Sequence, residues 1–165
     1  MSQIQSGTFE IHPKKVILSE LLPEIIKDFK TSAEQKNLQI KYRDLSEQAG
    51  IWGDPYSLTQ IFVHLIENSV KYTEKGMVSV SIVREGNKKL WVEIADTGIG
   101  ISPEYRNKLF SPFSQEDEGF SRKYEGNGLG LALVKKFCEF NEAEITLHSE
   151  KGLGTSIKIT FNSLG

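Results

Sequence analysis

Apolar positions along this chain recur at two spacings, and the changes from one to the other mark out its elements. Residues 1 to 18 read as a polar lead-in and an extended segment, with Phe9, Ile11, Val16 and Leu18 as its apolar positions. Leu22, Ile25, Ile26, Phe29 and Ala33 then follow helical spacing. Ser19 is placed to cap that helix, and Pro23 falls near its first turn, where a missing N–H costs least. Leu38, Ile40 and Tyr42-Arg43 predict a strand, and the polar stretch up to Gly50 a loop. Asp54-Pro55 predicts a helix start, a capping carboxylate followed by proline at the first helical position. That helix should run to about Thr73 and bury Leu58, Ile61, Phe62, Leu65, Ile66 and Ser69. Met77 to Val83 and Leu90 to Ala95 alternate at period two around Glu85-Gly86-Asn87, which predicts a hairpin. Ser102-Pro103-Glu104 opens a short helix ending near Leu109, and Ser114 to Tyr124 shows no period. So long a connection predicts a functional, mobile loop. Gly126 to Gly130 closes it and leads into a helix, Leu131 to Phe140, with Leu133 and Phe137 turned inward. Ile145 to His148 and Ser156 to Phe161 predict a last hairpin around Gly152-Leu153-Gly154.

Length and charge narrow the classes. The 165 residues suit one domain with a real core, and a formal net charge of -2 gives no broad nucleic-acid footprint. The single cysteine, Cys138, leaves no internal disulfide framework and no cysteine-rich metal site. No apolar run approaches the ~20 residues that span a bilayer. Met1 to Gly7 is polar and lacks the apolar core of a signal peptide, so the expectation is a soluble, cytoplasmic domain without membrane contact of its own.

Three stretches carry candidate chemistry. At Asp96-Thr97-Gly98-Ile99-Gly100 a strand delivers one carboxylate and the chain then loses its side chains. Such an end is either a turn with a solvated Asp or an acceptor for an exocyclic amine beside a slot for a flat ring. On the Asp54 helix, Gln60, His64, Asn68 and Lys71 stack along one side. At ~1.5 Å per residue, His64 to Lys71 covers roughly 10 Å, comparable to a triphosphate with its metal. From spacing alone a solvated helix face is the commoner fate of such a stripe. Gly126-Asn127-Gly128-Leu129-Gly130 places backbone N–H groups at a helix start, which suits phosphate. There is no GxxxxGK[ST] and no GxGxxG, because the positions needed hold Pro103 and Leu131. His-Arg-Asp, HExxH and a serine elbow are missing too, which removes the usual protein kinases and common hydrolases.

Taken together, these stretches resemble the ATP-binding catalytic domain of sensor histidine kinases, the Bergerat-type fold shared with gyrase B, Hsp90 and MutL. The N box corresponds to Leu58 to Thr73, the first glycine box to Asp96 to Gly100, the F box to Phe110-Ser111-Pro112-Phe113, and the second glycine box to Gly126 to Leu131. Gly152-Leu153-Gly154-Thr155 resembles the family's terminal glycine motif. The resemblance covers nearly the whole chain and implies a two-layer α/β sandwich, with one mixed sheet of about five strands and helices on one face. It also implies that residues 1–165 are a single catalytic domain with a mobile ATP lid at 111–126.

By this resemblance Asp96 receives the adenine amino group, Asn68 ligates Mg²⁺, Lys71 pairs with phosphate, and Tyr72 lies beside the base or ribose. Gly98 and Gly100 admit the base, and Ile101 forms an apolar wall. Gly126, Gly128, Leu129 and Gly130 approach the phosphates, Thr155 reaches adenine through a water, and Arg122 and Lys123 face the γ-phosphate. The implied activity is that of a histidine protein kinase. It binds Mg²⁺-ATP and donates the γ-phosphoryl group to a histidine on a separate dimerisation domain, and through it to a response regulator. Two departures bear on this. His64 stands where these kinases carry a second Asn and the hydrolysing relatives a Glu, and imidazole is a poor Mg²⁺ ligand. The helical hairpin that carries the phosphoacceptor histidine does not fit before His12, so the acceptor is expected elsewhere. A non-catalytic ATP-sensing module and a Bergerat-fold ATP hydrolase are the alternatives.

Overall fold

A computed structural model describes residues 12–46, 50–73, 75–86, 89–97, 127–150 and 154–162. The short helix expected near 102–109, the F box and the lid lie outside the described residues. Among the described residues ten elements follow in order: β1 (Lys14–Ile17), α1 (Leu18–Gln35), β2 (Gln39–Leu45), β3 (Gly50–Gly53), α2 (Pro55–Tyr72), β4 (Met77–Glu85), β5 (Lys89–Asp96), α3 (Asn127–Phe140), β6 (Glu144–Glu150) and β7 (Gly154–Asn162). Five strands form one sheet in the order β2-β4-β5-β7-β6. β2 runs parallel to β4 and every other pair is antiparallel, so the sheet is mixed.

Alternation decides which face of the sheet is covered. Val78, Val80 and Ile82 on β4, Leu90, Val92 and Ile94 on β5, and Ile157, Ile159 and Phe161 on β7 are all buried. The register sets these rows side by side: Val80 opposes Ile94, which opposes Ile157. They pack with Leu22 and Ile25 of α1, the Leu58–Ile66 face of α2, and Val134 and Phe137 of α3 in one core. The other face is open and polar. There the Ser156 hydroxyl donates to Glu93 at 2.8 Å and Lys158 Nζ sits 4.3 Å from the centre of the Trp91 ring.

α2 starts as its sequence predicts. Asp54 caps it, accepting the Ser57 N–H at 2.8 Å, with Pro55 in the first turn. The same carboxylate accepts the His12 N–H at 3.0 Å. Burial alone would raise the Asp54 pKa, but these hydrogen bonds outweigh it and hold the carboxyl below its usual range. α1 departs from expectation: it begins at Leu18 with Ile17 as an uncapped N-cap. Leu18 is fully buried and Ile17 is paired with Gly50, so the chain turns helical as soon as the strand ends and Ser19 is already inside the helix. Pro23 therefore lies within the helix, and the Ser19 carbonyl loses its i+4 donor.

β1 and β3 form a separate antiparallel ribbon that the apolar pattern does not announce, since each strand has only four residues. α1 and α3 end alike. Past α1, Asn37 takes φ 57 and the Leu38 and Asn37 N–H groups return to the Ala33 and Glu34 carbonyls. Past α3, Glu142 takes φ 54 and the Ala143 and Glu142 N–H groups return to Cys138 and Glu139. Both are Schellman closures. Glu142 has a Cβ where glycine is the easy residue, so Glu142→Gly should raise stability by about 0.5–1 kcal/mol. A urea melt with an unmoved or lower midpoint would contradict that.

Candidate functional site

Two polar ties bring separate parts of the sequence to one end of the sheet, and a third, at the opposite end of α2, directs α3. The first is at Thr97, just past β5. Its hydroxyl donates to the Lys75 carbonyl at 3.1 Å and accepts the Met77 N–H at 3.3 Å. The end of β5 is therefore fastened to the connection that leaves α2, and Asp96 and the last turn of α2 share one end of the domain.

The second tie joins Asp96 to β7. The parity of β5 that buries Leu90, Val92 and Ile94 puts Asp96 on the same, helix-covered side of the sheet. There it pairs with Thr155, whose N–H donates to Asp96 Oδ1 at 3.3 Å. These two residues lie 59 apart in sequence, and register alone brings them together. Both are half-buried. Gly154 makes the approach possible: at φ +127, a Cβ there would overlap the Asp96 carbonyl oxygen.

The third tie orients α3. Asn141, its C-cap residue, accepts the Asp54 N–H at 2.8 Å and donates to Ser57 Oγ at 2.8 Å and to the Phe137 carbonyl at 2.7 Å. The C-terminus of α3 is thus fixed to the N-terminus of α2, against which it packs. Fourteen residues of helix span roughly 21 Å and eighteen roughly 27 Å, so α3 runs back along α2 toward its Asn68 end. The second glycine box rides on that approach. Helix α3 already begins at Asn127, so Gly128, Leu129 and Gly130 occupy its first turn, four residues earlier than the expected start at Leu131.

Along the stripe on α2, Gln60 and His64 are half-buried, Asn68 is buried at 8% exposure, and Lys71 is half-buried. Burial rises toward Asn68, which a fully solvated helix face would not show. Tyr72 is the last residue of the helix. Burial lowers the His64 pKa against the raising pull of Glu67, so the imidazole is neutral at neutral pH. Glu67 itself is exposed. The Cys138 thiol is buried on α3, and burial with Glu139 pushes its pKa up to about 12, which leaves it inert.

Among the described residues no three His, Cys, Asp or Glu side chains gather as a metal site. A divalent ion held by these described residues would need further oxygen ligands, from phosphate or water. Asn68 offers it a hard amide oxygen, which suits Mg²⁺, whereas a His64 nitrogen does not. Gly98, Gly100, Ile101, Arg122, Lys123 and Gly126 lie outside the described residues. Sequence reasoning missed Thr97, Asn141 and Lys36, the last of which meets the C-terminal turn of α2. Their polar side chains follow strand or helix ends, but what each one reaches depends on the fold.

The ties at Thr97 and Asp96 set Asp96 at the same end of the domain as the last turn of α2, and the tie at Asn141 directs α3 back toward that end. The sequence pattern of the histidine kinase-, DNA gyrase B-, and HSP90-like ATPases matches residues 53–164, and the chain belongs to that family. It is 33% identical over 164 residues to a sensor-like histidine kinase of Rhizobium meliloti, covering 99% of this chain and 31% of that protein. It is 32% identical over 165 residues to the autoinducer 2 sensor kinase/phosphatase LuxQ of Vibrio parahaemolyticus, covering 96% of this chain and 19% of that one. The chain thus spans a third or less of the length of these curated relatives. Full-length ShkA in complex with AMPPNP aligns at a TM-score of 0.81 and 26% identity, over 95% of this chain and 32% of that chain. The nucleotide-free catalytic domain of the histidine kinase ThkA shares the fold, at a TM-score of 0.80 and 21% identity over 93% of this chain and 99% of its own. No helix among the described residues is long and apolar enough to cross a membrane.

Proposed function

We propose that this chain is a single catalytic domain that binds Mg²⁺-ATP and donates its γ-phosphoryl group to a histidine on a separate phosphoacceptor and dimerisation domain, in two-component signalling. The observation that carries the reading is the Asp96 carboxylate on the helix-covered side at the end of a central strand, held by the Thr155 N–H beside the last turn of α2. An acceptor in that place suits the adenine amino group. A guanine would turn a carbonyl toward it and lose roughly 1–3 kcal/mol, about 5- to 150-fold in affinity.

Lys71 would pair with phosphate, Asn68 would hold the Mg²⁺ that travels with it, and Tyr72 would flank base or ribose. Gly98, Gly100 and Ile101 would shape the base slot. Gly126, Gly128, Leu129 and Gly130 would give backbone N–H groups to the phosphates. Arg122 and Lys123 would close from a mobile lid at 111–126, and Thr155 would reach the base through a water. When bound, Mg²⁺ would neutralise phosphate charge. The chain's own part is to position the nucleotide and exclude water, since phosphoryl transfer asks little covalent chemistry of the protein. The nucleophile belongs to the acceptor domain, and a response regulator would take the group onward.

His64 favours a second reading, a nucleotide-sensing module that binds without transferring, because a neutral imidazole stands where a hard ligand would help the metal. ATP hydrolysis has less support: Glu67, beside Asn68 in the sequence, is solvent-exposed, so it is poorly placed to activate water. Titrating the chain with ATP and GTP, with and without Mg²⁺, tests the binding. ATP should bind at least about fivefold more tightly than GTP, and Asn68→Ala should lose more affinity with Mg²⁺ than without. Equal affinity for the two purines would remove the Asp96 role, and equal losses the metal role. With labelled ATP and a helical phosphoacceptor domain, label on histidine supports the kinase, and binding without transfer supports the sensor.

A further inference from the structure

The last carbonyls of a helix have no donor within it, and that end carries roughly half a unit of negative charge. At the end of α2 the Ser69 carbonyl accepts the Thr73 N–H at 3.1 Å. The next two carbonyls are taken from outside: Lys36 Nζ donates to Val70 at 2.7 Å and to Lys71 at 3.0 Å. Lys36 is the C-cap residue of α1, and its own N–H is tied to the Ala33 carbonyl at 3.0 Å. The Schellman closure through Asn37 fixes where its side chain starts, so the reach to α2 is built into the fold. An ammonium has three donors and no acceptor. Here it meets neutral carbonyls, with no carboxylate partner among the described residues.

This turn carries Lys71 and Tyr72 and follows directly on Asn68. In the nucleotide reading, on which the following rests, phosphates lie along the same stretch. A helix C-terminus repels an anion, the reverse of the attraction at an N-terminus. We infer that Lys36 is a positioning residue for the nucleotide's phosphates. It pins the last turn of α2 by two carbonyls and cancels the negative helix end that a polyanion would otherwise meet.

The test compares ATP with AMP, binding to the 165-residue chain by calorimetry at low salt. Lys36→Met should weaken ATP about tenfold and AMP less than about threefold, because the electrostatic part scales with phosphate charge. Lys36→Arg, which keeps the charge and the donors, should stay within about threefold of the parent for ATP. Should circular dichroism show Lys36→Met unfolded, Lys36→Gln, polar but neutral, gives the same reading. Unchanged ATP affinity in the neutral variants overturns the inference. Equal losses for ATP and AMP also overturn it, since that is what a merely loosened helix end would produce. If the parent chain itself binds no ATP, the nucleotide reading falls and this inference with it. If the parent binds and the neutral variants do not differ from it, the inference alone falls.

Discussion

Alanine in place of Asp96 is expected to lower ATP affinity by about 100-fold or more while leaving the fold intact. Two losses add on the binding side. A hydrogen bond to an ionised acceptor contributes about 1.5–3 kcal/mol, and the adenine amino group left unpaired in a covered slot costs a further 1–3 kcal/mol or so. On the folding side little changes. The β5 backbone remains paired with β4 and β7 through its register with Val78 and Thr155. The side chain accepts the Thr155 N–H at 3.3 Å, a bond worth about 1 kcal/mol or less at that length. A carboxylate accepts in about four directions, so serving Thr155 does not bar it from serving a base. The expected result is therefore a near-flat calorimetric titration from a chain whose urea midpoint has moved little. An affinity equal to the parent's would remove Asp96 from the site. A chain that no longer unfolds cooperatively would instead make the residue a structural one.

That carboxylate shows what the sequence discloses and what it hides. The strand before Asp96 is legible because Leu90, Val92 and Ile94 alternate with Trp91, Glu93 and Ala95. The same alternation tells which way Asp96 faces. The Asp54-Pro55 start of α2 and its buried face are legible for a similar reason, since cap chemistry and helical period are local. Thr155 is different: its pairing with Asp96 depends on the order β5-β7-β6, which no local period encodes. The ribbon of β1 and β3 is hidden because four residues are too few to show a period. Asn37 and Glu142 end their helices without the glycine that usually signals such a stop. Lys36, Thr97 and Asn141 are hidden more deeply, because a polar residue in a turn reads as solvated until the fold supplies its acceptors. The stripe on α2 sits between these cases. Spacing groups His64, Asn68 and Lys71, but only burial distinguishes a covered Asn68 from a wet helix face.

Substitution of Gly154 by alanine should destabilise the domain by roughly 2–6 kcal/mol and weaken nucleotide binding together with it. Two effects combine. A side chain at φ +127 occupies backbone space that is almost glycine's alone, at a cost of about 1–3 kcal/mol. The added Cβ would also overlap the Asp96 carbonyl, an immobile backbone atom between two paired strands, and displacing it costs about 1–3 kcal/mol more. Movement there shifts Asp96 against Thr155, so the binding site should suffer in step with the fold. Gly86 supplies the control. It also has positive φ, at +66, but a Cβ there meets nothing within 4 Å, so Gly86→Ala should lose only about 1 kcal/mol and bind ATP as the parent does. Urea denaturation of the two variants, with ATP titrations under native conditions, separates backbone strain from collision. Equal midpoints for Gly86→Ala and Gly154→Ala would mean that β7 can draw back from Asp96 at little cost, and that the Asp96 carboxylate is not held in place by the strand beside it.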